Sequence, residues 1–221
     1  MKKILVIAPH PDDETIGCGG TLLRHKDDRD EISCAIMTKL KINDNWTEKA
    51  VIEKQNEIEK IKKIYQFHSF NIFDFPPSEL DRIPINLLIS KISNLFEEIK
   101  PDIIYIPYNH DIHTDHRIIS NAAMSSAKWF RSGSIKRINM YETLSETNFN
   151  FSQNNAFNPN YFVEITKFLE KKLEICSCYK SEFKKHPFPR SEESIRSLAK
   201  LRGSQSGYEA AESFKVIFEK K

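Results

Sequence analysis

Two short segments of this sequence concentrate the residue types that hold metals and move protons. The first is His10-Pro11-Asp12-Asp13-Glu14, and the second, far downstream, is His110-Asp111-Ile112-His113-Thr114-Asp115-His116. Of the seven histidines in 221 residues, three fall inside that second segment, interleaved with aspartates. Imidazole and carboxylate suit Zn²⁺, and a catalytic zinc keeps three protein ligands and one open position. If the two segments lie side by side, His10, Asp13 and His116 supply three ligands and leave Asp12 and His113 for acid and base work. Such a metal would bring the pKa of water to about 7, and a neighbouring carboxylate could take the proton as that water attacks a carbonyl. His113 could stabilise the oxyanion or protonate the leaving amine, with Asp115 or Asp111 holding its ring. Taken alone, His10 would read as a structural histidine and the aspartate pair as a helix cap. Asp115 also reads as an N-cap for a helix starting at His116. The pairing of the two segments is what favours a metal site.

The surrounding pattern predicts the elements that must position them. Ile4 to Ala8 is a continuous apolar run, as in a central parallel strand, and Glu14 to Lys26 follows as a helix opened by acidic residues. Ile32 to Met37 reads as a strand, Thr47 to Tyr65 as a long charged helix, Asn71 to Phe73 as a short strand and Ile83 to Ile99 as an amphipathic helix. Ile103 to Ile106 reads as a strand and His116 to Phe130 as a helix. This alternation predicts an α/β fold, a parallel sheet covered on both faces, in which ligands gather at the carboxyl ends of the strands. Both segments sit at or just after such ends. The last third predicts a strand at Ile138 to Tyr141, a polar loop at Thr147 to Asn160, and helices at Thr166 to Tyr179 and Ser191 to Arg202. It is expected to cap the sheet and shape the pocket.

The run Ala8-Pro9-His10-Pro11-Asp12-Asp13-Glu14, followed by Gly17-Cys18-Gly19-Gly20 and later by Asp111-x-His113-x-Asp115-His116, resembles the LmbE-like or PIG-L family of N-acetyl sugar deacetylases. The resemblance implies a Rossmann-like, mostly parallel sheet and zinc-dependent amide hydrolysis. By motif position it puts the metal ligands at His10, Asp13 and His116, the general base at Asp12 and an oxyanion-stabilising histidine at His113. Asp115 is a further candidate for the catalytic group. The similarity extends over most of the chain, because Pro189-Arg190-Ser191 and Arg202-Gly203-Ser204-Gln205 resemble the C-terminal part of one branch of the family. Glu14, Lys54, Arg190 and Arg202 are the expected substrate-binding residues. Two departures bear on them: Lys54 stands three residues before Glu57 where many members have an arginine, and Phe75-Pro76-Pro77-Ser78 lacks an aspartate often found there. Lysine cannot make the bidentate contacts of arginine.

Other patterns are excluded by the residues themselves. Gly17, Gly19 and Gly20 fail the dinucleotide pattern because position 22 is leucine, and three acids at the helix start would repel a pyrophosphate. Gly203-Ser204-Gln205-Ser206-Gly207 has glutamine where a nucleophile would stand. Lys+Arg and Asp+Glu nearly balance, at 33 and 31, which leaves no electrostatic footprint for nucleic acid. No apolar run approaches the ~20 residues of a membrane span. The four cysteines are sparse and scattered, which fits a reducing cytoplasm. Residues 1–221 are expected to form one domain, compatible with a homo-oligomer. Its expected cofactor is zinc or another divalent transition metal. Its expected substrate is a small N-acetylated sugar, free, nucleotide-linked or lipid-linked. Two rivals stand beside this reading: a non-catalytic sugar-binding or regulatory protein on the same scaffold, and a metal-dependent hydrolase of a phosphoester. The second would favour another metal and a cluster of phosphate-binding cations.

Overall fold

The computed structural model describes residues 1–42 and 46–221. Seven strands form one mixed sheet: β1 (Lys3–Ala8), β2 (Glu31–Thr38), β3 (Ser69–Phe75), β4 (Ile103–Pro107), β5 (Arg137–Tyr141), β6 (Tyr161–Glu164) and β7 (Ala211–Glu219). Among the described residues six α-helices connect them: α1 (Asp13–Asp27), α2 (Glu48–Tyr65), α3 (Ile85–Ile99), α4 (Thr114–Ser126), α5 (Leu169–Cys176) and α6 (Glu192–Ser206). The spatial order is β3-β2-β1-β4-β5-β7-β6. The first five strands run parallel, and β7 runs antiparallel to both β5 and β6.

The unbroken apolar runs become central strands because both of their faces are covered. In β1, Ile4, Val6 and Ala8 pack on one side with Leu22, Ile61 and Tyr65, whereas Leu5 and Ile7 pack on the other with Leu88, Ile92 and Ile119. β4 divides in the same way, Ile103 and Tyr105 against Ile104 and Ile106. This is the two-residue period of a strand read into two cores. Each fully buried aliphatic side chain contributes about 1.5–3 kcal/mol. Helix α1 lies against the sheet at a distance only glycine allows: a Cβ on Gly17 would stand 2.3 Å from the Tyr141 ring, and one on Gly20 would stand 2.7 Å from Ile165.

The predicted α/β architecture and its mostly parallel sheet are present, with three local differences. Strands β6 and β7 extend the sheet where no strand was expected; β6 is short and half-buried, and its partner comes from the end of the chain. The helix expected to reach Phe130 stops at Ser126, whose hydroxyl donates to Ala122 O, and Trp129 and Phe130 beyond it are exposed. The helix expected over Thr166 to Tyr179 is a 3-10 turn followed by α5. No helix among the described residues is long and apolar enough to cross a membrane.

Candidate active site

The two chemistry-bearing segments meet because β1 and β4 are neighbours. The chain runs from β1 outward to β2 and β3, then crosses back to lay β4 on the other side of β1. The loops leaving β1 and β4 therefore diverge at the switch point of the sheet, where open α/β folds leave a crevice. His10 to Asp12 leave β1 and Asp13 opens α1, whereas Asp111 to His113 lead from β4 into α4. The rings of His10, His113 and His116 pack together, with centroids 4.6, 5.5 and 5.2 Å apart.

Each inner residue is held by a partner. His116 Nδ1 lies 2.8 Å from Asp111 Oδ2, and the other oxygen of Asp111 accepts from the Thr147 hydroxyl at 2.6 Å. His10 Nε2 lies 2.9 Å from Asp115 Oδ2, and the Asp115 carboxylate also accepts from the backbone N–H groups of Ser78 and Leu80. Asp111 and Asp115 therefore orient His116 and His10, not His113 as the sequence suggested. Asp115 is not the N-cap of α4 either: His113 takes that place, its Nδ1 accepting the Asp115 backbone N–H at 3.1 Å.

Two three-residue groups present ligand atoms within 4.8 Å of one another: His10, Asp13 and His116, and His10, His113 and Asp115. The first has unused valence. His116 Nε2 lies 3.2 Å from Asp13 Oδ2 without the alignment of a hydrogen bond, and both it and Asp13 Oδ1 are buried with no hydrogen-bond partner. Buried unsatisfied polar atoms cost about 1–3 kcal/mol each, a cost that a cation between them removes. In the second group Asp115 and His113 are already engaged by backbone N–H groups. The residues present therefore fit a divalent metal at His10, Asp13 and His116.

Electrostatics sharpen the division. Burial works against charge on His10, but the Asp115 and Asp13 carboxylates outweigh it and lift the ring to about 9. Burial is likewise overcome at His116, where Asp13 and Asp111 lift the ring to about 10. Asp13, although buried, is held well below the usual carboxylate range by His116 and His10. His113 moves the opposite way: burial, then the charges of His10 and His116, push it down. A neutral His113 whose Nδ1 accepts a backbone N–H must carry its proton on Nε2, which makes it a hydrogen-bond donor. Burial pushes Asp12 up to about 8 against the pull of Arg190. Asp12 also holds a backbone φ of 138°, a region where a non-glycine residue stores about 1–3 kcal/mol.

His10, Asp12 and His113 line a cavity of about 390 Å³, whose walls are completed by α2 and by residues 180–190. Lys54 stands in this wall, its ammonium within reach of Ser181, Glu57 and Glu182. Arg190 is also there, but its guanidinium is spent on the protein: it donates to Asp12 Oδ2 at 2.6 Å, Ser145 Oγ at 2.8 Å, Glu146 at 3.1 Å and Glu182 at 3.2 Å. Two expected substrate contacts are misplaced. Glu14 is fully buried beneath the site, accepting from Asp12 N, Thr15 Oγ1 and Tyr179 OH, because its position in the first turn of α1 faces the core. Arg202 pairs bidentately with Glu142 and does not line this cavity. Sequence reasoning missed Trp46, Ser78 and Glu182, which also line it; they lie outside both segments and share no spacing with them.

A family model described as PIG-L, GlcNAc-PI de-N-acetylase, matches residues 5–127. The diacetylchitobiose deacetylase of Thermococcus kodakarensis is 26% identical over 231 residues, a match covering 98% of this chain and 84% of that protein. Among solved structures, the N,N'-diacetylchitobiose deacetylase of Pyrococcus horikoshii superposes with a TM-score of 0.79 at 22% identity, over 98% of this chain and 84% of the other. The 4-carboxy-2-hydroxymuconate hydratase of Pseudomonas putida superposes with a TM-score of 0.76 at 18% identity, over 100% of this chain and 98% of its own. The same fold thus carries more than one chemistry, and the side chains must choose between them.

Proposed function

Because the chain belongs to the PIG-L family, we propose that it is a metal-dependent N-deacetylase that hydrolyses the acetamido group of an amino sugar. The observation that carries the reading is the pair of buried, unpartnered ligand atoms on Asp13 and His116, set beside a buried Asp12 and a donor-bearing His113. His10, Asp13 and His116 would hold the metal. Two imidazoles and one carboxylate favour zinc. A divalent metal there supplies Lewis acidity to the amide carbonyl and brings the pKa of water toward neutrality.

The chain's own residues supply the rest. Asp12 is the general base: burial makes its carboxylate a stronger proton acceptor than an exposed aspartate, and Arg190 fixes one of its oxygens and limits that gain. His113 directs its Nε2–H at the oxygen on which charge develops as the carbonyl becomes tetrahedral. Asp12 then returns its proton to the departing amine, leaving acetate and the free amino sugar. Asp111 and Asp115 are positioning residues that fix the rings of His116 and His10.

The test is amine release from a panel of N-acetylated sugars, free, lipid-linked and nucleotide-linked, by zinc-loaded protein with a chelated control. Release from at least one, abolished by chelation, is expected. Asp12→Ala should keep its metal and slow turnover by about 10²–10⁴. Full activity in that variant would remove Asp12 from the mechanism. Absence of release across the panel with zinc bound would favour the sugar-binding alternative.

A further inference from the structure

The cavity wall formed by α2 has a composition that the reaction at the metal does not require. Ala50, Glu53, Lys54 and Glu57 line it at the i, i+3, i+4, i+7 spacing of one helical face. A different stripe of the same helix, including Val51, Ile58, Ile61 and Tyr65, is buried. Trp46 lines the cavity beside this polar face and stands immediately before Thr47, whose hydroxyl caps α2 by accepting the Ala50 N–H. The residue is 39% exposed. Glu57, only 7% exposed, accepts the Lys180 N–H through Oε1, whereas Oε2 lies 3.2 Å from the Lys54 ammonium and has no hydrogen-bond partner.

A pyranose ring has two kinds of surface, C–H groups across its faces and hydroxyls around its edge. An indole offers a flat, electron-rich face to C–H groups. We propose that Trp46 is the stacking platform for the saccharide ring of the substrate. The proposal rests on the amino-sugar deacetylase reading and deepens it. It makes this wall the reason a cyclic sugar is preferred over an acyclic acetamide carrying the same scissile bond.

The chain contains two tryptophans, and the other, Trp129, is 73% exposed in the connection that precedes β5, away from the carboxyl ends of the strands. A Trp129→Phe protein therefore has Trp46 as its sole indole. Adding N-acetylglucosamine or its disaccharide should change the Trp46 emission, and N-acetylethanolamine should not. In the zinc-loaded enzyme Trp46→Ala should raise KM for the cyclic sugar about tenfold with kcat within about twofold, and Trp46→Phe should recover most of the loss. Hydrolysis of the acyclic amide should be the same in all three proteins. An unchanged KM in Trp46→Ala, equal losses on cyclic and acyclic amides, or unaltered emission in a protein that hydrolyses the sugar would each overturn the platform. A change in emission without hydrolysis would leave the platform standing and remove the deacetylase reading. Neither emission change nor hydrolysis would remove both.

Discussion

The inner and outer halves of the cavity are built on different principles. The inner half, comprising His10, Asp13, Asp111, Asp115 and His116, stands at the ends of two adjacent strands, and each of its two histidines has a dedicated carboxylate. The outer half is assembled from α2 and residues 180–190, and charged side chains hold it together: Arg190 bridges Asp12, Glu146 and Glu182, and Lys54 joins Glu57 to Glu182. The inner half is a group of residues able to hold a metal, and its geometry follows from sheet pairing. The outer half can change its residues without altering that group, which suits the part of a site that selects substrates.

Four measurements would break or sharpen this contrast. The largest effect belongs to His116→Ala, which removes a ligand from the inner half: metal content after dialysis and turnover should both fall to background. A variant that retained stoichiometric metal would exclude His116 from the ligand set. Asp111→Asn keeps the ligands but weakens the orientation of His116, so metal affinity should drop about 10–100-fold, measured by competition with a chromogenic chelator. Unchanged affinity would make Asp111 structural only.

Arg190→Ala attacks the outer half. It leaves the carboxylates of Asp12, Glu146 and Glu182 without their shared cation, which should cost about 3 kcal/mol and lower Tm by about 10 °C, with metal content unchanged. Loss of metal in this variant would show that the two halves are one mechanical unit. The last measurement concerns pH. In the metal-free protein His10 titrates near 9 and His116 near 10, both above the ordinary 6.5, so at pH 7 both are charged and an incoming metal must displace about two protons. Affinity should therefore weaken as pH falls. The stability these charged histidines confer on the metal-free protein is complete below about 6.5 and is lost as pH rises through 9 to 10. Calorimetric titration in buffers of different ionisation enthalpy counts the protons, and a count near zero would contradict the charged state of the pair.

Much of the inner half was legible because its signals are local. A continuous apolar run ending in His10-Pro11-Asp12-Asp13 marks a strand end with metal-capable residues, and His113 and His116 stand out by clustering with aspartates within residues 110–116. The outer half was legible only in Lys54 and Arg190, which line the cavity. Glu14 looked available because it adjoins Asp12 and Asp13, yet a helix turns successive side chains by about 100°, which points it into the core. Arg190 and Arg202 looked equivalent as cations near the end of the chain, but one reaches Asp12 and the other is taken by Glu142. The role of Asp111 and Asp115 as partners of His113 was misassigned for a similar reason: a carboxylate in the same segment need not serve its sequence neighbour.

Sequence pattern alone was enough for the alternation of strands and helices and for the identity of the residues able to hold a metal, because both depend on side-chain type and short-range period. The folded chain had to decide which carboxylate orients which ring, that Arg190 braces Asp12 and that Trp46 faces the cavity. Apart from the Asp111–His116 pair, those contacts join residues far apart in the chain, and they depend on how β1 and β4 pair and how α2 and residues 180–190 pack around their ends.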